Sequence, residues 1–160
     1  MGRGVATPTL LPVADLLAFL AGRWTFERSI DDRRAGRRGR AAGEARFEPL
    51  GGGAGAGGAG GLRWTEHGRV VIGDFEGEFS RELAIVPDGD AWLVRFDDGR
   101  PFHPLDLRTG RFVVDHPCGA DAYAGELRVL AGPELVVEWE VRGPAKAQRI
   151  VTRYRRAAAR

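Results

Sequence analysis

Residues 16–30, LLAFLAGRWTFERSI, change their hydrophobic period at Gly22. Before this glycine, apolar residues recur at helical spacing from Pro12 onward, and proline suits the first turn of a helix. After it, apolar and polar residues alternate with the period of two that a strand requires, with Trp24 and Phe26 on one face. The sequence therefore predicts a short helix that opens at Pro12 and ends at Gly22, followed at once by a strand.

The same alternation returns in segment after segment as far as residue 155. Turn signals such as Asp98-Gly99 and Thr109-Gly110 separate the segments, and His67-Gly68 is interpreted as one more break. No helical pattern between the segments is long enough for the crossover that parallel strands need. The pattern predicts an all-β fold: a single antiparallel up-and-down barrel of about ten strands with a short N-terminal helix.

Two segments lie outside this pattern. Residues 1–11 contain threonine and proline without periodicity, which predicts a frayed, disordered tail and leaves residues 12–156 as one barrel domain. Residues 51–61 consist only of glycine and alanine, so they have no large side chains to bury. We expect them to form a flexible hairpin loop.

Charge and cysteine content restrict the classes of function. The 24 basic residues nearly balance the 22 acidic ones, for a net charge of +2, so the chain lacks the cationic excess of a nucleic-acid-binding surface. The dense group of arginines at 33–40 lies in a glycine-containing stretch and is interpreted as a solvated loop. The single cysteine, Cys118, excludes an internal disulfide and fits a reducing cytoplasm, and neither a secretory signal nor a membrane-spanning apolar run is found.

Several short motifs together resemble one known family. They are FLAGRW at 19–24, DGRPFH at 98–103, HPC at 116–118 followed by Asp121, Tyr123 and Gly125, GP-x-K at 143–146, and T-x-Y-R at 152–155. The set resembles an uncharacterised bacterial lipocalin-like family of the calycin superfamily, a domain of unknown function. The resemblance implies a calycin-type barrel closed at one end by the helix, with Trp24 beneath the core and a cation of the last strand, Arg153 or Arg155, across its ring. It implies no established activity.

Haem is a minor alternative that the same superfamily raises. The related nitrobindin barrels bind haem through a histidine and begin with an extended G-x-W-x-G-x-G motif. Here Trp24 is followed by Thr25-Phe26-Glu27-Arg28, without those glycines. The sequence therefore specifies no cofactor.

Polar residues on the inward face of the predicted strands make up the candidate site. The face with the large apolar residues points into a barrel, and seven polar residues share or adjoin that face. They are Arg28, Glu66, Arg81, His103, His116, Tyr123 and Thr152. Buried charges need partners, so we expect Glu66 to pair with Arg28 or Arg81. A self-satisfied structural network would explain any one of them, but the number of inward charges favours a water-filled polar pocket that binds a ligand.

The residues around Cys118 raise two further alternatives, a metal site and a thiol nucleophile. His116, Cys118 and Asp121, with His103, do not match a recognised zinc pattern, so the sequence predicts no metal site. Cys118 close to His116 leaves a Cys–His nucleophile open. A small buried structural thiol is the favoured interpretation.

Three hypotheses about function follow. The leading one is a cytoplasmic barrel that binds a small polar or anionic organic molecule, because guanidinium groups hold carboxylates and phosphates. The second is an enzyme on the same barrel, with His103 or His116 as general acid or base and Tyr123 or Glu66 assisting. The third is an interaction module that presents the arginine-rich loop to an acidic protein. Neither a nucleic acid nor a membrane is expected as a partner, and the oligomeric state is left open.

Overall fold

Ten strands and one short helix are found in the part of the chain that the structure, a computed structural model, describes: residues 6–51 and 60–158. The elements in chain order are α1 (Leu16–Leu20), β1 (Gly22–Asp32), β2 (Arg37–Pro49), β3 (Leu62–Ile72), β4 (Phe75–Asp88), β5 (Ala91–Phe96), β6 (Pro101–Leu105), β7 (Arg111–Cys118), β8 (Asp121–Leu130), β9 (Glu134–Arg142) and β10 (Ala147–Arg156). The glycine- and alanine-rich stretch 51–61, for which the sequence predicts a flexible loop, falls largely outside the described residues.

All ten strands form one antiparallel sheet, in the order β6-β5-β4-β3-β2-β1-β10-β9-β8-β7. The first strand pairs with the last, and the sheet curls into a nearly closed barrel. Its two edge strands, β6 and β7, are consecutive in the chain, and both carry prolines, which cannot donate a hydrogen bond to another strand. The predicted all-β, antiparallel up-and-down barrel of about ten strands is confirmed.

The hydrophobic core fills the interior of the barrel. Burial alternates along the strands as the sequence predicts: Trp24, Phe26, Phe47 and Trp64 are buried, while the residues between them are more exposed. Each large side chain of this kind contributes about 1.5–3 kcal/mol when it leaves water, which is the main force that closes the sheet.

Helix α1 begins later than the sequence predicts. It starts at Leu16 rather than Pro12, and Asp15 caps it by accepting a hydrogen bond from the Ala18 amide at 3.0 Å. The preceding residues are held in an extended conformation by the barrel, because the Val13 amide donates to the Leu107 carbonyl at 3.0 Å. The period of the apolar residues indicated a helix from Pro12, but pairing of Val13 with a distant segment delays its start by about one turn.

The predicted N-terminal tail also needs correction in the part that is described. The sequence predicts a frayed segment over residues 1–11, of which 1–5 lie outside the described residues. Leu11 donates a backbone hydrogen bond to Val129 at 2.8 Å, and Leu10 forms a β-bridge with Leu130. Residues 9–11 therefore lie along β8, a contact that their local sequence does not reveal.

Gly68 does not separate two strands as the sequence suggested, because β3 runs through it without a break. Gly68 pairs with Gly43 of β2, and the two backbones approach closely at this point. A Cβ atom on Gly43 would lie 2.0 Å from the His67 carbonyl oxygen. Gly43 and Gly68 are both needed for this close approach of the two strands, and neither forms a turn.

The arginine-rich stretch is mostly strand and not the loop that the sequence predicts. Only residues 33–36 form the turn between β1 and β2, while Arg37, Arg38 and Arg40 lie on β2 itself. Alternating small residues such as Gly39 and Ala41 give this segment the inward face of a strand. The glycines that suggested a loop are therefore part of the sheet.

One end of the barrel is closed around Trp24, as expected. Trp24 is fully buried, and its indole nitrogen donates a hydrogen bond to the Leu20 carbonyl at 2.7 Å. The cation over its ring is Arg156, at 4.5 Å from the ring centroid, and neither Arg153 nor Arg155. The register places Arg156 directly opposite Trp24, whereas Arg153 and Arg155 pair with Glu134.

Candidate functional site

A buried carboxylate, Glu66, is the centre of the polar interior. Arg28 donates a hydrogen bond to Glu66 Oε2 at 2.8 Å, and Arg81 donates to Glu66 Oε1 at 2.8 Å. The Tyr154 hydroxyl donates a third, short hydrogen bond to Oε1. The expected pairing of Glu66 with Arg28 or Arg81 is thus found with both arginines at once.

Strand register brings these residues together. Glu66 of β3 lies opposite Arg81 of β4, and Arg28 of β1 lies opposite Thr152 of β10, whose hydroxyl accepts from Arg28 Nε at 2.8 Å. Strand β2 separates the two pairs. Contact between them therefore requires one side chain to cross the inner face of β2.

Two alanines on β2 make that crossing possible. Ala41 lies opposite Arg28 and Ala45 lies opposite Glu66, and both alanines are buried. Their methyl side chains occupy little of the interior, so the Arg28 guanidinium passes over β2 and reaches the carboxylate. Larger residues at these two positions would block the contact.

The network carries a net positive charge. Glu66 contributes one negative charge and is 0% exposed, while the two guanidinium groups each contribute a positive charge. Burial by itself would raise the pKa of the Glu66 carboxyl, but Arg81 and Arg28 outweigh it and hold that pKa below its ordinary value. Burial raises the pKa of the Tyr154 phenol, so the phenol keeps its proton and donates a hydrogen bond to Glu66.

The two arginines differ in how far they are enclosed. The Arg28 side chain is 12% exposed and the Arg81 side chain 37%. Arg81 uses Nη2 for its contact with Glu66, and its Nε is buried without a hydrogen-bond partner among the described residues. Arg81 is therefore the network member with hydrogen-bonding capacity to spare.

An interior cavity of about 280 Å³ lies against this network. Five of the seven predicted site residues line it: Arg28, Arg81, His103, Tyr123 and Thr152. Glu66 lies behind the arginines and does not reach the cavity surface. Tyr154 also lines the cavity, and its inward phase with Thr152 was the signal that could have placed it among the predicted residues.

Aromatic rings form one wall of the cavity, close to the gap between β6 and β7. Phe102 stacks on Trp139 with ring centroids 5.2 Å apart and on Phe96 at 4.6 Å. Trp139 lies directly over Gly125, where an added Cβ atom would come within 2.5 Å of the indole. Trp64 belongs to the opposite part of the lining, and the Arg81 guanidinium lies 5.3 Å from its ring centroid.

The indole nitrogen of Trp64 is a second unused donor. It is buried and has no hydrogen-bond partner among the described residues, like Arg81 Nε. An unpaired buried donor is costly, by about 1–3 kcal/mol. Trp64 and Arg81 both line the cavity, and each has one buried donor without a partner among the described residues.

His103 is a neutral histidine in the cavity lining. It is 4% exposed, and its Nδ1 lies 2.7 Å from the Pro104 carbonyl oxygen, to which it must donate. Burial, assisted by the charges of His116 and Arg81, lowers the pKa of His103 to about 4. Near neutral pH its Nε2 therefore carries a lone pair and not a proton.

His116 does not reach the cavity, although the sequence placed it on the inward face. It lies on edge strand β7 opposite Tyr123 and packs its ring 5.7 Å from that of Phe102. Phe102 and Tyr123 occupy the cavity lining in its place. An inward-facing position does not bring His116 to the cavity, because β7 is an edge strand and no further strand completes the wall beside it.

The metal site and the Cys–His nucleophile raised by the sequence both involve Cys118. Within residues 6–51 and 60–158, leaving aside the side chain of Cys118, no group of three or more His, Cys, Asp or Glu side chains is placed to hold a metal ion. The side chain of Cys118 is outside what the structure describes, so the Cys–His hypothesis stays a sequence-based one. No helix in these ranges has the length and apolarity to cross a membrane.

The outer face of the barrel has a wider hollow of about 720 Å³. Outward residues of β10, β1, β2 and β3 line it, among them Ser29, Arg40, Val71 and Val151, which form one row across the four strands. Among the described residues, none of those that line this hollow has a buried donor without a hydrogen-bond partner. The smaller interior cavity is therefore the better candidate for a ligand site.

Comparison with solved structures shows the fold. The chain is similar to an S-type phycobiliprotein lyase, CPES, from Guillardia theta, with a TM-score of 0.61, 9% sequence identity, and coverage of 94% of this chain and 95% of that one. A protein from Nitrosomonas europaea with the provisional name AttH gives a TM-score of 0.30 at 9% identity, over 96% of this chain and 59% of that one. The first likeness supports the antiparallel β-barrel fold, and the second carries no argument.

Sequence comparison places the chain in a family without an assigned activity. No curated protein matches it. The profile of DUF6314, described as a family of unknown function, matches residues 20–156, which is most of the barrel. The chain therefore belongs to the DUF6314 family.

Proposed function

We propose that this barrel is a binding protein for a small organic anion, such as a monocarboxylate, held in the interior cavity beside Arg81. One observation carries the proposal. A buried network of net positive charge borders the cavity, and the donors Arg81 Nε and Trp64 Nε1 have no partner among the described residues. A carboxylate beside the Arg81 guanidinium, whose side chain is 37% exposed, would neutralise the remaining charge.

The volume of the cavity supports a small ligand. About 280 Å³ lies just below the roughly 300–1,000 Å³ of ordinary small-molecule pockets. It equals the liquid volume of about nine water molecules. A group as large as haem would need a rearranged interior, which is why we favour a smaller molecule over the minor haem hypothesis.

Binding is favoured over acid–base catalysis by the state of His103. A general base works best when its pKa lies near the working pH, and the pKa of His103 is about 4. His103 suits the acceptance of a hydrogen bond, and His116 is not among the cavity-lining residues. We also propose, from the single cysteine and the pattern of the sequence, that the protein works in the cytoplasm and that its barrel forms one domain.

The proposal is tested with benzoate, a small aromatic carboxylate, followed by fluorescence of the tryptophans in the cavity wall. Arg81→Met keeps much of the side-chain length and removes the charge. We expect this variant to bind benzoate one to two orders of magnitude more weakly, since a charged hydrogen bond contributes roughly 1.5–3 kcal/mol. Arg63→Met is the matched control, because Arg63 is exposed and pairs with Glu82 on the outer face.

Two results would overturn the proposal. In one, Arg81→Met binds benzoate as tightly as the parent protein does. In the other, neutral benzyl alcohol binds to the parent as well as benzoate does, which would remove the anion from the argument. If Arg81→Met does not fold, Arg81→Gln, which can still donate to Glu66, is measured in its place under the same criteria.

A further inference from the structure

The His103 side chain offers the cavity an acceptor that nothing else in the described chain uses. Its Nδ1–H is committed to the Pro104 carbonyl at 2.7 Å, which leaves Nε2 as the basic nitrogen of the ring. Among the described residues, no group donates a hydrogen bond to Nε2. His103 is only 4% exposed, so its ring has little contact with bulk water.

The surroundings of His103 are aromatic. Its ring lies 5.3 Å from Trp139 and 4.8 Å from Phe102, each in an edge arrangement. Carbon rings cannot donate a hydrogen bond to a nitrogen lone pair, so these neighbours leave the Nε2 acceptor unused. A donor on a ligand in the cavity would give Nε2 a partner.

The cavity therefore has two kinds of unused polar group in one lining. Arg81 and Trp64 present donors that call for an acceptor, and His103 presents an acceptor that calls for a donor. The walls between them include the faces and edges of Phe102, Tyr123 and Trp139. Aromatic walls of this kind favour a flat, aromatic molecule.

We propose that the cavity selects an aromatic carboxylate bearing a hydroxyl or amino group, with the carboxylate at Arg81 and the ring donor at His103 Nε2. This inference rests on the proposed function, because it assigns the second end of the same ligand. The small volume leaves room for one ring with its substituents and little more.

The experiment compares probes that differ only in the ring donor. Dissociation constants are measured by tryptophan fluorescence for benzoate, 3-hydroxybenzoate and 4-hydroxybenzoate. One buried hydrogen bond contributes about 1 kcal/mol, so we expect at least one hydroxylated probe to bind about five- to tenfold more tightly than benzoate. The isomer preferred reports the geometry of the site.

Substitution of His103 tests whether this preference comes from Nε2. His103→Asn keeps a donor for the Pro104 carbonyl and removes the acceptor, so the ratio of the benzoate and hydroxybenzoate dissociation constants should fall close to one. His103→Gln can place an amide oxygen near the former Nε2 and should restore part of the ratio. His67→Asn is the matched control, because His67 is exposed on β3, and it should leave the ratio unchanged.

Each outcome decides one of the two proposals. If benzoate binds and neither hydroxyl group improves the affinity, or if the preference survives in His103→Asn, the inference about His103 is wrong while the anion site stands. If the hydroxylated probes bind more tightly but Arg81→Met weakens none of the three, the anion site is wrong. If none of the three carboxylates binds at about 1 mM, a concentration that detects even weak complexes, both proposals fall.

Discussion

Two arginine–tryptophan contacts are found in the described part of this barrel, and they differ in how their hydrogen-bond donors are used. At the closed end, Arg156 lies 4.5 Å from the ring of Trp24, and in the cavity wall, Arg81 lies 5.3 Å from the ring of Trp64. Both tryptophans are buried. The geometry of ring and cation is therefore similar at the two sites.

The hydrogen-bond donors of the two pairs differ in whether they have a partner. Trp24 donates to the Leu20 carbonyl at 2.7 Å, and Arg156 donates to the carbonyls of Ala21 and Phe19, which ties the helix to the barrel. Trp64 Nε1 and Arg81 Nε have no partner among the described residues. The hydrogen bonds of Trp24 and Arg156 are completed within the chain and those of Trp64 and Arg81 are not, a difference that supports the proposal of a ligand in the cavity.

The largest effect that separates the two regions should come from the carboxylate beneath Arg81. Glu66→Gln removes the negative charge and leaves two guanidinium groups facing each other, so we expect the free energy of unfolding to fall by about 3–5 kcal/mol. Urea unfolding followed by fluorescence measures it. Glu82→Gln is the control, since the exposed Glu82–Arg63 pair contributes about 1 kcal/mol or less. Equal losses in the two variants would mean that the buried network is no more important than a surface ion pair.

Acidification should affect the cavity region before the closed end. The folded pKa of His103 is about 4 and the unfolded value is near 6.5, so the unfolded chain binds the proton more readily between these values. Stability is complete above pH 6.5 and decreases as the pH falls towards 4, by about 3 kcal/mol from this group. The Trp24–Arg156 contact contains no histidine and no carboxyl group.

The measurement is the free energy of unfolding from pH 7 to pH 4.5, compared between the parent and His103→Asn. The variant should show a flatter profile over this range. The pKa of Glu66 is also held low, but its contribution is lost at lower pH, as the pH falls below the ordinary carboxyl range. A profile that keeps its full slope in His103→Asn would assign the titration to another group.

A smaller effect compares the two tryptophans directly. Trp24→Phe and Trp64→Phe remove the same atoms from buried positions, but only the first breaks a hydrogen bond, the one to Leu20. We expect Trp24→Phe to be the more destabilising by about 1–2 kcal/mol in urea unfolding. Equal losses would show that Trp64 Nε1 has a partner in solution, such as an ordered water, and would weaken its assignment to a ligand.

Much of the candidate site follows from period-two alternation. Arg28, Glu66, Arg81 and Thr152 share phase with neighbouring apolar residues, and all four point inward. The same rule, carried one step beyond Thr152 and Tyr154, leads to Arg156 and away from Arg153 and Arg155. The family resemblance implied Arg153 or Arg155 at this place, whereas the alternation along β10 indicates Arg156, which lies opposite Trp24.

Other features could not be read from local patterns. The helix starts at Leu16 because the Val13 amide is held by Leu107, which is more than ninety positions away in the chain. His116 has the inward phase but lies on an edge strand, where no further strand completes the wall around it. Such outcomes depend on which distant segments become neighbours.

The sequence by itself determined the class of the fold, the approximate number of strands and the face of each strand that is buried. These properties depend on residues close together in the chain, whose alternation and turns are set by local geometry. Only the tertiary structure decided that Glu66 contacts both arginines and that Ala41 and Ala45 leave space for that contact. It also decided that His103 lines the cavity with its Nδ1 bound to the Pro104 carbonyl. Those contacts depend on register between strands and on the closure of the barrel, and a period of two gives the face of a side chain without its partner across the sheet.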